Sequence, residues 1–248
     1  MLNSHLWDEI AKACLLCPQV LLLGEFRQFA AIDSYCGCPV AVSLELSDLL
    51  HQLAGGCRVE FAENRRSDPE LFEFCGRLGE DGWREALASG RVQFPLKNER
   101  PRYSLSISHA TRMAVNRETN LAQRLDHPEA ILYKPPRVKE DNRPQSFWCW
   151  PGLEVIGHGA PTKKGLFYTV TSCDRKRVRI EGNGESVTLP AERAAKRLRL
   201  SHCITYASCQ GLSLDGVRLL ETSNPHFSWR HLYVGASRCT SARTLEIA

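Results

Sequence analysis

Two short blocks near the carboxyl end hold the residue types best suited to chemistry. They are SHCITYASCQGLSL (201–214) and LYVGASRCTSARTL (232–245). The first reads as a short apolar strand that turns through Ser208-Cys-Gln210-Gly211. The second reads as a helix with Arg238 on its polar side, followed by a closing strand, TLEIA. Between them they offer the hydroxyls of Thr205 and Ser208, the amide of Gln210, the open backbone at Gly211 and the guanidinium of Arg238. Arginine is planar, always charged and able to grip a phosphate with two parallel hydrogen bonds. Hydroxyls and backbone amides hold phosphate and sugar oxygens without reading base sequence. From Arg175 to Arg199 the chain also carries eight Lys or Arg against three Glu. Such a stripe, with Arg175, Lys176, Arg177 and Arg179 at its head, either follows a phosphate backbone or is a solvated face.

Further elements must position these groups. Leu6, Ile10 and Cys14 recur every four residues, so 4–16 reads as an amphipathic helix. Gln19 to Leu23 is a continuous apolar run of the kind buried on both faces of a parallel sheet. It opens onto Gly24-Glu25-Phe26-Arg27-Gln28, and open α/β sheets place ligand sites at such strand ends. Residues 43–54 read as a second amphipathic helix, stopped by Gly55-Gly56. A strand from Arg58 to Phe61 leads into Glu63-Asn-Arg-Arg-Ser67, and Asp68-Pro69 then caps a helix. Ser104 to Ser108 alternates as a strand before a helix over 110–125 that contains Arg112 and Asn116. Residues 135–145 form a polar, proline-bearing connector. From Phe147 to Pro190 the period changes to two, with strands at 153–156, 166–172, 178–181 and 187–189 and a hairpin turn at Gly182-Asn183-Gly184.

Bulk properties narrow the class. With 248 residues the chain can bury one or two real cores, and 43% hydrophobic with 24% charged residues is ordinary for a globular protein. Eleven cysteines fall without zinc spacing, Cys14-x-x-Cys17 and Cys36-x-Cys38 being the close pairs, so reduced thiols are expected and no metal. No apolar run reaches the ~20 residues of a membrane span, and no targeting segment is visible, so an intracellular protein without a membrane partner is expected.

The terminal blocks resemble motifs V and VI of superfamily 1 helicases, most closely the RecD-like branch. There the patterns are T-x-x-x-x-Q-G and Y-V-A-x-S-R; here they are Thr205…Gln210-Gly211 and Tyr233-Val-Gly-Ala-Ser-Arg238, about 22 residues apart. Gly24 to Gln28 resembles motif III, G-D-x-x-Q, with Glu25 in place of Asp. Glu63 to Ser67 resembles Q-N-Y-R-S, which puts Arg66 at a phosphate-contacting position. The strand–helix pair ending in Asn116 resembles a further RecD-like segment. The resemblance implies an α/β fold, a RecA-like second motor lobe with a parallel sheet, interrupted by a small β-barrel. It divides the chain into the tail of a first lobe (1–40), a first part of the second lobe (41–146), the barrel (147–192) and a last part with motifs V and VI (193–248). It implies that the intact motor uses ATP and Mg²⁺, and couples ATP hydrolysis to movement on single-stranded DNA. Nucleotide would meet Gly24, Glu25, Gln28, Arg66, Gln210, Gly211 and Arg238. Of these, Arg238 would be the arginine finger, Arg66 a second cation and Gln28 a neutral sensor. DNA would meet Thr205, Tyr206, Ser208, Arg175, Lys176 and Arg177.

Departures shape what to expect. No G-x-x-x-x-G-K-[ST] occurs, and Gly157-His-Gly159 is followed by Ala-Pro-Thr-Lys-Lys, which makes no phosphate cradle. The chain thus looks like the rear part of a motor, expected to bind no nucleotide stably alone and to hydrolyse none. A P-loop lobe on a separate partner chain, or encoded upstream, would complete it. The other reading is a nucleic-acid-binding or regulatory module without hydrolysis. The family has His and Lys/Arg where Ala207 and Ser208 stand here. Arg238 could instead pair structurally, Arg66 and Asn116 could be surface residues, and Tyr206 could be a core ring rather than a base-stacking one.

Overall fold

Ordered along the chain, the elements sort into two groups around two apolar cores. The computed structural model describes residues 4–17, 19–29, 34–35, 38–39, 48–61, 63–135 and 144–248. Helix α1 (Ser4–Leu16) is followed by a short antiparallel pair, β1 (Ser34–Tyr35) with β2 (Cys38–Pro39), and by α2 (Asp48–Leu53). Residues 43–47 of the expected second helix, Cys36 and residues 136–143 of the connector lie outside the described residues. Next come α3 (Pro69–Gly76) and α4 (Trp83–Gln93). The Asp68 carboxylate accepts the Leu71 N–H at 2.9 Å, and Pro69 needs no donor in the first turn, so α3 begins where the sequence placed it.

β3 (Tyr103–Ser106) and α5 (His109–Gln123) form the strand–helix unit, with Ser108 accepting Thr111 N–H at 3.0 Å. A two-stranded ribbon, β4 (Ile131–Tyr133) with β5 (Phe147–Cys149), precedes β6 (Glu154–Gly157), β7 (Phe167–Cys173), β8 (Arg177–Gly182) and β9 (Glu185–Pro190). Then α6 (Ala191–Arg197) and β10 (Leu198–Leu200) lead to β11 (Cys203–Thr205), β12 (Val217–Leu219), α7 (Trp229–Ala236) and β13 (Leu245–Ile247).

The order β11-β3-β12-β13 makes a four-stranded sheet in which every pairing is parallel. Its strands are almost wholly buried, as a parallel sheet covered by helices requires. α4 packs on β13, α7 on β12, and α5 on β3 and β11. Between β12 and β13, Arg218 and Glu246 face each other in register and pair at 2.7 Å. The mixed α/β class with a parallel sheet is therefore observed. The second sheet runs β10-β6-β7-β8-β9, antiparallel throughout, and extends past residue 192 to Leu200. β10 and β9 are its edges, and among the described residues no pairing closes it into a barrel. Asn183 and Gly184 take φ of 54° and 74°, the left-handed values that a two-residue hairpin turn needs.

Helix α5 ties the groups together through its inward stripe of Arg112, Asn116 and Asn120, four residues apart. Asn116 bonds both the N–H and the C=O of Cys203 at 2.9 Å. Asn120 does the same for Trp148, at 2.8 and 2.9 Å. Asn116 is thus a buried clamp and not a surface amide.

Two expected strands are absent. Gln19–Leu23 and Arg58–Phe61 have no ladder partner among the described residues, and Leu21 and Phe61 are 81% and 82% exposed. An apolar run becomes a buried strand only when neighbours take its N–H and C=O groups and cover its faces.

α7 is held close to the sheet by Gly235. A Cβ there would stand 2.5 Å from Leu219 Cδ2 and 2.9 Å from Tyr206 Cε1, both in fully buried side chains. Gly235→Ala should cost about 1–3 kcal/mol through overpacking, despite alanine's better helix propensity, and a lowered urea midpoint would show it.

Candidate nucleotide and nucleic-acid interface

The loop before α3 is set by Asn64. Its side-chain oxygen accepts the N–H groups of Arg66 and Ser67 at 3.0 and 3.2 Å, and its amide donates to the Ser67 carbonyl at 2.7 Å. Asp68 extends the same anchor, accepting Ala242 N–H at 2.8 Å. Burial pushes its carboxyl up, but the Leu71 and Ala242 N–H bonds outweigh that and hold its pKa below the ordinary value. Arg66 is thereby aimed at the turn after β11. Its Nη2 donates to the Leu212 carbonyl at 2.5 Å and reaches the Arg238 carbonyl at 3.5 Å.

Arg238 meets the same turn. Its Nη1 donates to Leu212 O at 3.3 Å, its Nε to Val234 O at 3.2 Å and its Nη2 to Ser237 Oγ at 2.9 Å. The helix ends at Ala236, and Arg238 is only 3% exposed. The expected place on a helix's polar side is therefore corrected: the side chain lies buried beneath the turn. Two guanidinium groups share one carbonyl, and burial followed by the Arg238 charge lowers the Arg66 pKa.

Gly24–Gln28 docks on α7. Arg230 Nη1 donates to the carbonyls of Phe26 and Gln28 at 2.7 and 2.5 Å. The Tyr233 hydroxyl donates to Glu25 at 3.0 Å, while Arg27 lies 4.4 Å over the Tyr233 ring. Burial, then the Glu25 charge, push the Tyr233 hydroxyl up to about 12. Arg230 was missed in the sequence, where it reads as one more surface charge in a first helical turn.

The turn after β11 is half hidden. Thr205 is buried and its hydroxyl donates to Ser208 Oγ at 2.8 Å, whereas Ala207, Ser208 and Gly211 are exposed. Gly211 has φ +83°, which suits glycine. Tyr206 is no stacking platform: it is 1% exposed, packs on Phe227 and His231, and donates its hydroxyl to Leu220 O at 2.9 Å. A strand end buried on both sides leaves that ring nowhere else to go. Arg175 and Lys176, between β7 and β8, and Arg177, which opens β8, are exposed at a turn held by Asp174, which accepts the N–H groups of Lys176 and Arg177 at 2.6 and 2.8 Å.

Glu221 was also missed. It carries φ +57°, and its carboxylate accepts Ile107 N–H, Ser108 N–H, Ser108 Oγ–H and Thr111 Oγ1–H at 2.6–3.1 Å, capping α5. No local pattern announces a cap supplied by a residue so distant in sequence.

No model of a known protein family matches the chain, and no curated protein does. Solved structures do. A Pif1 helicase studied in DNA unwinding at forked dsDNA superposes with a TM-score of 0.55 at 15% identity, over 85% of this chain and 57% of that one. The Pif1 helicase from Bacteroides in complex with ADP-AlF3 and ssDNA gives 0.51 at 16% identity, over 74% and 50%. The Pif1 helicase from Candida albicans gives 0.50 at 15% identity, over 73% and 53%. The fold is similar to that of the RecA-like part of these Pif1 structures. The chain spans just over half the length of the first of these structures and about half of the others. In this fold the Arg66–Leu212–Arg238 junction joins three segments that resemble helicase motifs. Among the described residues no group of three or more His, Cys, Asp or Glu side chains could hold a metal ion, and no helix is long and apolar enough to cross a membrane. The described cysteines carry free thiols.

Proposed function

We propose that the chain is the second-lobe portion of a RecD-like superfamily 1 helicase, whose complete motor couples ATP hydrolysis to movement along single-stranded DNA. The observation that carries this reading is the shared Leu212 carbonyl, which draws Arg66 and Arg238 to the turn containing Gln210 and Gly211. These two guanidinium groups fit the terminal phosphate of a nucleotide, with Gln28 on the neighbouring loop. Their bonds to Leu212 would be exchanged for phosphate oxygens when a first lobe closes over them. Positive charge at the leaving phosphoryl group is what such transfer needs most. Mg²⁺ would act with ATP in the complete motor, neutralising charge on the phosphates. The bound ssDNA and ADP-AlF3 of the Bacteroides Pif1 structure support both ligands by analogy of fold.

Single-stranded DNA would run past Ser208 and the exposed Arg175, Lys176 and Arg177. The test is fluorescence anisotropy with a labelled oligothymidylate across a salt series. Weak, sequence-tolerant binding that falls with salt is expected, and the Arg175→Gln/Arg177→Gln pair should reduce the log–log salt slope by about 1.4. Absence of binding at low salt would remove the DNA assignment. The chain alone should show no DNA-stimulated ATP turnover above a mock preparation, because it contains no P-loop.

A second reading is a binding module without hydrolysis. It is favoured by Arg238 being buried with its donors spent on its own fold. Joining the chain to a first lobe, fused or in trans, separates the two, since only the motor gains turnover.

A further inference from the structure

Away from the Arg66–Arg238 junction, α5 presents its polar stripe to the joint between the two sheets. Asn116 and Asn120 are fully matched there, each to one backbone N–H and one C=O. Arg112, one turn earlier on the same stripe, breaks the pattern. It is 9% exposed, and neither its Nε nor its Nη2 has a partner. A guanidinium taken out of water with donors unmet is a costly arrangement for a fold to hold. A buried polar group left so in a native fold points to a partner from outside the chain.

What surrounds Arg112 gives that partner its chemistry. Asn116 pins Cys203, so the residue before it, His202, lies at the same joint, its carbonyl accepting Ser104 N–H at 2.8 Å. His202 Nε2 is buried without a partner. Arg199 precedes it on β10, in register with Ile156 of β6, and His158 just beyond β6 donates its N–H to Arg197 O at 2.8 Å. The groups acting most strongly on His158 after burial are all cations, Arg199, Lys164, Arg112 and Arg197, and its pKa falls to about 4. Arg199 falls to about 10 through burial and then Arg112.

We propose that this joint is a phosphate-binding site, with Arg112 as its anchor and Arg199, His158 and His202 around it. A guanidinium fork matches two oxygens of a phosphate, and a remaining oxygen can take the unpartnered Nε2 of His202. A carboxylate offers too few acceptors and too little charge for such a set. The phosphate is either free phosphate or part of a nucleic-acid backbone, and both present the same oxygens. This site is independent of the helicase reading.

The test uses the whole 248-residue chain, titrated with sodium orthophosphate in a calorimeter against chloride at equal ionic strength. Saturable one-to-one heat is expected for the parent chain. Arg112→Lys, which keeps charge but loses the fork, should bind roughly tenfold more weakly. Arg112→Met should show no heat, and in chloride it should melt no lower than the parent, since it removes an unpaired charge. No saturable heat in the parent, or the same heat in Arg112→Met, overturns the site. Should Arg112→Met fail to fold, that contradicts the unpaired-charge argument, and unchanged affinity in Arg112→Lys overturns the anchor role. Competition by an unphosphorylated oligothymidylate would identify the backbone as the source. Phosphate binding unaffected by the oligonucleotide would identify free phosphate.

Discussion

Arg238→Ala should lower the unfolding free energy by about 2–4 kcal/mol, one of the two largest effects expected here. The side chain is 3% exposed and satisfies Val234 O, Leu212 O and Ser237 Oγ. Removing it leaves a cavity and takes one of two donors from Val234 O, which keeps the Ser237 hydroxyl at 3.2 Å. Leu212 O keeps the Arg66 bond at 2.5 Å, so Arg66→Ala alone, at an exposed side chain, should cost under about 1 kcal/mol. The double variant orphans Leu212 O, and its loss should exceed the sum of the single losses by about 1 kcal/mol. Urea unfolding of the four proteins measures the cycle, and strict additivity would mean the shared carbonyl couples nothing. In a motor completed with a first lobe, the same variant should lose on the order of a thousandfold in ATP turnover at temperatures where it is folded, with DNA affinity little changed. Arg238→Lys should rescue poorly, because an ammonium lacks the fork. Turnover that merely tracks unfolding would assign Arg238 a structural role alone.

Acid should destabilise the chain through three histidines. His158, His202 and His231 are each held at about 4, below the ordinary 6.5. Burial is the leading cause for all three, with Arg199 next for His158. The folded state therefore binds fewer protons than the unfolded one between these values. Stability is complete above pH 6.5, is lost as pH falls, and stops changing on account of these rings near pH 4. Allowing for their partial exposure, about 1 kcal/mol per ring and about 3 kcal/mol together is expected. Asp68 and Glu221, whose carboxyls are held below their ordinary values, extend the loss to lower pH. Urea midpoints at pH 7, 6 and 5 should fall in order; a flat series would contradict the burial of these rings.

What the sequence showed depended on how local the cause was. The start of α3 followed from Asp68-Pro69, and the β8–β9 hairpin from period two and Asn183-Gly184, since each is decided within a few residues. Gln19–Leu23 could not be settled that way, because ladder partners come from elsewhere. Helical spacing of polar residues at Arg112, Asn116 and Asn120 reads as a wet face, yet these side chains point inward to strand backbone 28 and 87 residues away in sequence from the two asparagines. Motif likeness found Arg238 and Arg66 but was silent on their environment. It could not foresee that Tyr206 would fill the core, nor that Arg230 and Glu221 would anchor neighbouring loops.

The adjacency of β3 and β11 also governs how the chain folds. These strands are paired neighbours, although the whole antiparallel sheet is threaded between them. An unstructured segment of that length would pay closure entropy growing as its logarithm, about 0.6 kcal/mol for every doubling, before any parallel pairing rewarded it. The inserted strands make mostly hairpin contacts and can form early. Once formed, with β10 brought back against β6, they deliver Leu200 to within a few residues of where β11 must start. The insertion thereby shortens the search for the sheet it interrupts. Mutations that delay its hairpins should slow closure of the parallel sheet as well, even at residues that never touch it.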